Sequence, residues 1–134
     1  MTSEAEVAVA AAVVVQNGRV LLVRRRVAEG ALSWQFPAGK IEPEETPEAA
    51  AARETQEETG LLVAPLSVLG RRVHPMTGRE LHYIACRPVD GEAAIASADE
   101  VADVVWAAYG EIPQYVPYGL FEPVQDYLDD SMAH

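Results

Sequence analysis

Glu54, Glu57 and Glu58 fall within five consecutive positions of the stretch GKIEPEETPEAAAARETQEETGL, Gly39 to Leu61. The bases of that stretch are Lys40 and Arg53, set against seven glutamates. On an α-helix each residue advances ~100°, so Glu57 and Glu58 sit at roughly −60° and +40° from Glu54, on one face. Like charges at these spacings are mutually destabilising. The helix macrodipole also disfavours acids near the C-terminal end. A solvated acidic face is the plain reading of such a run. Against it, the rest of this helix surface is alanine, so the charge is concentrated rather than spread. Three carboxylates converging on one point are the hard oxygen donors that Mg2+ or Mn2+ takes.

Several elements must hold those acids in place. Thr46-Pro47-Glu48 reads as a helix start, with Thr as N-cap, Pro at the first helical position and an acid in the first turn. Gly60 is a natural C-cap, which bounds the helix at 47–59. The apolar, β-branched run from Val7 to Val15 predicts a buried strand. Asn17-Gly18 predicts a hairpin turn into Val20–Val23. Ser67–His74 and Glu80–Arg87 read as strands joined by a turn at Pro75-Met76-Thr77-Gly78. Val101–Trp106 reads as another strand. Leu120, Val124 and Leu128 recur at helical spacing and predict an amphipathic C-terminal helix. The expected fold class is α/β, a mixed β-sheet between helices, in a single domain over residues 1–134.

The acidic stretch is similar to the Nudix box. Gly39, Glu45, Arg53-Glu54, Glu57-Glu58, Gly60 and Leu61 occupy its defined positions. Thr55 stands where the family usually has an aliphatic residue, which predicts weaker packing under the helix and no loss of chemistry. The resemblance implies the Nudix fold and hydrolysis of a nucleoside diphosphate linked to another group, by water attack at phosphorus assisted by Mg2+, with Mn2+ able to replace it. It implies that Glu57 and Glu58 are metal ligands and that Glu54 is a further ligand or the base that activates water. The carbonyl of Gly39 or Ala38 would complete the metal shell. Arg53 belongs to the catalytic set through the carboxylates it orients, and pairs with Glu45 as a structural brace.

Some family members place their base downstream of the box, and Glu100 and Asp103 are the candidates here. Both also fit as solvated acids flanking a strand. WQFPAGKIE is similar to the MutT-like branch, which cleaves nucleoside triphosphates. That implies (d)NTPs or oxidised (d)NTPs as substrates, released as monophosphate and pyrophosphate. Ala38 also occurs in branches that cleave ADP-ribose and nucleotide sugars, and a nucleotide-sensing domain without turnover is a further alternative. For substrate contacts, Arg24-Arg25-Arg26 form a basic run of which at most one member, taken as Arg25, is expected on phosphate. Lys40 and Arg79 are similar candidates. Tyr83, His82, Trp34 and Phe36 could stack a base, although aromatic residues between strands are more often core.

Composition narrows the class. The 134 residues carry a formal net charge of −11, which opposes binding to nucleic-acid polymers and anionic membranes. A small phosphorylated nucleotide remains compatible, because a bound divalent cation inverts the local field. The single cysteine, Cys86, excludes an intramolecular disulfide and suits a reducing compartment. The beginning of the chain has neither a basic leader nor an apolar run near the ~20 residues that span a bilayer. A cytoplasmic monomer or homodimer is the expectation.

Overall fold

A computed structural model describes residues 8–26, 32–74 and 78–132. Seven strands and three helices follow in the order β1 (Val9–Gln16), β2 (Arg19–Arg26), β3 (Leu32–Gln35), β4 (Ala38–Lys40), α1 (Pro47–Thr59), β5 (Leu62–Val73), β6 (Glu80–Asp90), β7 (Val101–Ala108), α2 (Ile112–Tyr115) and α3 (Glu122–Met132). A 3-10 turn, Tyr109–Glu111, leads into α2. Among the described residues no helix is long and apolar enough to cross a membrane.

The sheet is mixed, as the strand pattern predicts. Its main path runs β3-β2-β1-β6-β5, with β4 added to β1 and β7 to β2. Asn17 and Gly18 both take positive φ, 53° and 73°, the geometry of the tight turn that reverses β1 into β2. The two strands then pair only at Val15–Val20 and Gln16–Arg19. Beyond that they part. β1 pairs antiparallel with β4 and parallel with β6, whereas β2 takes β3 and β7 as antiparallel partners. A wedge therefore opens between two sheet halves, and the functional cleft lies along it.

Strand alternation sends successive side chains of β1 to opposite faces. Ala10, Ala12 and Val14 join Leu21, Ile84 and the α1 residues Ala50 and Ala51 in one core. Ala11 and Val13 join Val20, Leu22, Phe36 and the α3 residues Val124, Leu128 and Met132 in the other. The sheet is thus covered by a helix on each face. Alanine lies on both sides of the α1 contact, so the helix can pack close to the sheet.

Helix α1 has the predicted bounds. The Thr46 side chain accepts a hydrogen bond from the Ala49 N–H, and Gly60 closes the helix at φ 78°. Thr55 is fully buried, and its hydroxyl donates to the Ala51 carbonyl at 2.8 Å. Its polar atom is therefore satisfied within the helix. Strand β5 begins at Leu62, earlier than the pattern suggests, and it accommodates Pro65 because it is an edge strand with irregular register beside that residue. The hairpin from β5 to β6 is present, with Val73 opposite Glu80. The turn residues 75–77, like Val7 at the start of the apolar run, lie outside the described residues. Cys86 is buried on β6, and burial pushes its thiol up to about 12.

Leu128 anchors α3 and is fully buried among β-sheet residues. Leu128→Ala should destabilise the protein by about 2–5 kcal/mol, the usual cost of a cavity in a packed core. A shift of the urea midpoint equivalent to less than 1 kcal/mol would mean that α3 is not held by this contact.

Candidate active site

The acidic face of α1 is divided between two arginines. Arg53 donates from Nε and Nη2 to both oxygens of Glu45, at 2.8 and 3.0 Å. Its Nη2 also reaches the Lys40 carbonyl at 3.0 Å, and its Nη1 reaches Glu54 at 2.8 Å and Glu57 at 3.1 Å. One guanidinium thus braces the loop onto the helix and bridges two of the three clustered acids. The expected Glu45–Arg53 brace is present in this geometry. Hydrogen bonding from Arg53 holds the Glu45 carboxyl down at about 2.

Glu58 has a different environment. It is fully buried, and its Oε2 accepts from Arg25 Nη1 at 2.6 Å. The same Nη1 contacts the Ala38 carbonyl at 3.1 Å, so Arg25 ties β2 to β4 and α1. Arg25 therefore already has a carboxylate partner, and it braces α1 against the strands while lining the cleft. Burial raises the Glu58 carboxyl to about 7 against the opposing pull of Arg25. Glu54 is raised as well, first by burial, with Arg53 opposing and Glu57 and Glu100 adding repulsion.

Gly39 explains how Glu54 is seated. A Cβ built on Gly39 would stand 1.8 Å from Glu54 Oε2, so the carboxylate occupies the space a side chain would need. Glu57, by contrast, is half exposed at the rim. Among the described residues, no three acidic, histidine or cysteine side chains stand close enough to enclose a metal ion as placed here. Arg53 instead bridges Glu54 and Glu57, and Arg25 pairs with Glu58. The donor set nevertheless suits a hard divalent cation. Glu58 Oε1 is the buried side-chain oxygen without a hydrogen-bond partner among the described residues, and carboxylate oxygens are the donors such cations take.

Two adjoining compartments flank these groups. A polar cleft of about 1060 Å³ is lined by Arg25, Arg26, Gly39, Lys40, Glu54 and Glu100, among others. An aromatic compartment of about 730 Å³ is lined by Trp34, Phe36, Arg72, Tyr83, Tyr118 and Phe121, among others. Val9, Gln35, Ala38, His74 and Leu81 border both, so the two adjoin. Glu100 thus shares the cleft with Glu54. Asp103 does not line it, and its carboxylate accepts from the Val104 N–H instead. Tyr83 forms part of the aromatic wall but is only 7% exposed, with Phe121 at 5.3 Å and Phe36 at 6.5 Å between ring centres. Tyr118 is 95% exposed at the opening. Tyr118, Phe121 and Arg72 escaped the sequence reading, because the loop before α3 has no periodicity and Arg72 is one of two consecutive strand arginines.

Two outcomes follow from this geometry. Gly39→Ala should leave the melting temperature nearly unchanged, since the displaced group is the mobile end of a side chain, while turnover falls by roughly 100-fold. Unaltered turnover would show that the seat of Glu54 is not needed. In metal-free protein, the contribution of Glu58 to stability should fall as pH rises from 4.5 to about 7, because the folded state holds the proton more tightly than the unfolded one. Melting curves of wild type and Glu58→Gln across that window check this, and parallel pH profiles would refute it.

The NUDIX domain family matches residues 6–127. The chain is 32% identical over 128 residues to a MutT-like protein of Streptomyces ambofaciens, covering 96% of this chain and 80% of that protein. It is 36% identical over 107 residues to a putative mutator protein MutT4 of Mycobacterium tuberculosis, covering 72% of this chain and only 41% of that protein. A crystal structure of a Nudix hydrolase from Nitrosomonas europaea superposes with a TM-score of 0.80 at 22% identity, covering 96% of this chain and 73% of the other. The chain belongs to the Nudix family of hydrolases, which act on phosphoric anhydride bonds.

Proposed function

We propose that this chain, acting as one Nudix domain, hydrolyses nucleoside triphosphates, oxidised ones included, to the monophosphate and pyrophosphate. The observation that carries this is the shared border of the aromatic compartment and the acid-lined cleft. A nucleotide is a flat heterocycle joined to a chain of charged oxygens, and the two compartments match those two halves. A relative in Bacillus subtilis is named a putative 8-oxo-dGTP diphosphatase and one in Escherichia coli a CTP pyrophosphohydrolase, which favours triphosphates.

Nudix hydrolases generally need a divalent metal ion, and Mg2+ or Mn2+ suits these donors. Glu54, Glu57 and Glu58 would hold it, with the Gly39 carbonyl, and when bound it would neutralise phosphate charge and acidify water. The chain's own groups do the rest. Lys40 and Arg26 present positive charge to the phosphates at the cleft wall. Arg25 and Arg53 hold the carboxylates in place. Glu54, whose affinity for a proton is raised by burial, is the favoured acceptor of the water's proton, with Glu100 as the second candidate in the same cleft.

Glu57→Gln and Glu58→Gln should each lower turnover by at least roughly 100-fold at saturating Mg2+. Near-normal turnover in either variant removes that residue from the machinery. The substrate is tested by product analysis on dNTPs, 8-oxo-dGTP, ADP-ribose, a nucleotide sugar and 5′-triphosphorylated RNA. Cleavage of ADP-ribose or the sugar nucleotide alone would overturn the triphosphate assignment. Absence of any turnover would favour a sensing role instead.

A further inference from the structure

Arg72 is the arginine among the residues lining the aromatic compartment. It projects from β5, half-buried, with its guanidinium carbon 5.3 Å from the centre of the Phe121 ring and 5.9 Å from that of Tyr83. Its Nε and Nη2 both donate to the Tyr83 hydroxyl, at 3.3 and 3.2 Å. No carboxylate pairs with it among the described residues, although the chain has 21 acidic residues against 10 lysines and arginines. The adjacent Arg71, by contrast, reaches Glu80 at 3.6 Å. Among the described residues no acidic side chain lines the compartment. This half-buried guanidinium, beside the Phe121 ring and on the Tyr83 hydroxyl, has no carboxylate partner and no acceptor for Nη1 among the described residues, and it lines a cavity of heterocycle size. Buried charge is normally paired. A ligand seated in the compartment can supply that acceptor.

We propose that Arg72 reads the edge of the bound base and selects guanine over adenine. This deepens the functional reading above and rests on the aromatic compartment receiving the base. Arginine offers donors and no acceptor. Unoxidised guanine presents two adjacent acceptors, O6 and N7, which match the guanidinium fork in a bidentate pair, whereas an 8-oxo base, protonated at N7, keeps only O6 for it. Adenine places its N6 amino donor beside N7, so donor meets donor and one contact is lost. The Tyr83 hydroxyl and the Phe121 ring hold the guanidinium in place, so less ordering remains for the ligand to impose.

The test separates this inference from the reaction itself by measuring binding of the monophosphates, without metal, by titration calorimetry. Wild-type protein should bind dGMP at least about tenfold more tightly than dAMP. Arg72→Gln should remove that difference while deoxyribose 5-phosphate binds as before. Arg72→Lys, which keeps the charge but not the fork, should also lose discrimination, and it carries the test if the Gln variant melts early. Equal binding of dGMP and dAMP by wild type, or no dGMP binding at all, overturns the inference. So does an equal weakening of dGMP, dAMP and deoxyribose 5-phosphate in the variants, which would place Arg72 on phosphate or in the fold. Selective dGMP binding without hydrolysis of any triphosphate would keep the base-reading role and remove the proposed reaction.

Discussion

Repulsion between carboxylates on one face of α1 is the constraint that the surrounding structure answers. Two guanidinium groups do so from different directions. Arg53 lies on the helix itself and spans Glu45, Glu54 and Glu57. Arg25 comes from β2 and meets the buried Glu58. A buried carboxylate stripped of its partner is strongly destabilising, so the position of β2 relative to α1 is tied to this contact. The alanine-lined seam between α1 and the sheet permits the short reach. Gly39, with no side chain, leaves room for Glu54.

The splayed sheet supplies the rest of the site. Because β1 and β2 pair over only two residues of each strand, each strand leads a different half of the molecule. Trp34 and Gln35 come from the β2 half, and Arg72, Leu81 and Tyr83 from the β1 half. The loop before α3 adds Tyr118 and Phe121 at the open side. The cleft is therefore a consequence of strand divergence rather than a depression on one surface.

What could be read from the sequence was local. Thr46, Pro47 and Gly60 mark α1 because capping is settled within a few residues. Asn17-Gly18 marks its turn for the same reason. The Glu45–Arg53 brace lies within the box and was expected. The Arg25–Glu58 pair was not, since the partners are 33 positions apart, and strand alternation singles out Arg25 without naming its partner. Beside Arg25 the register shifts, with β7 skipping Ala102 in its pairing with β2. Tyr83 was considered for stacking, and its burial between Phe36 and Phe121 is a tertiary fact. Strand β4, three residues long, is defined by its pairing with β1 rather than by any pattern of its own.

The parallel pairing of β1 with β6 also bears on how the chain reaches this state. Val9 lies beside Leu81 and Val14 beside Cys86, so the central strand acquires that neighbour only after α1 and the β5–β6 hairpin have come into position. Such distant closure costs chain entropy before its contacts are gained, and it slows folding. During synthesis β1 emerges early as an apolar run with its β6 edge uncovered. Until β6 arrives, that edge is open to pairing with another chain.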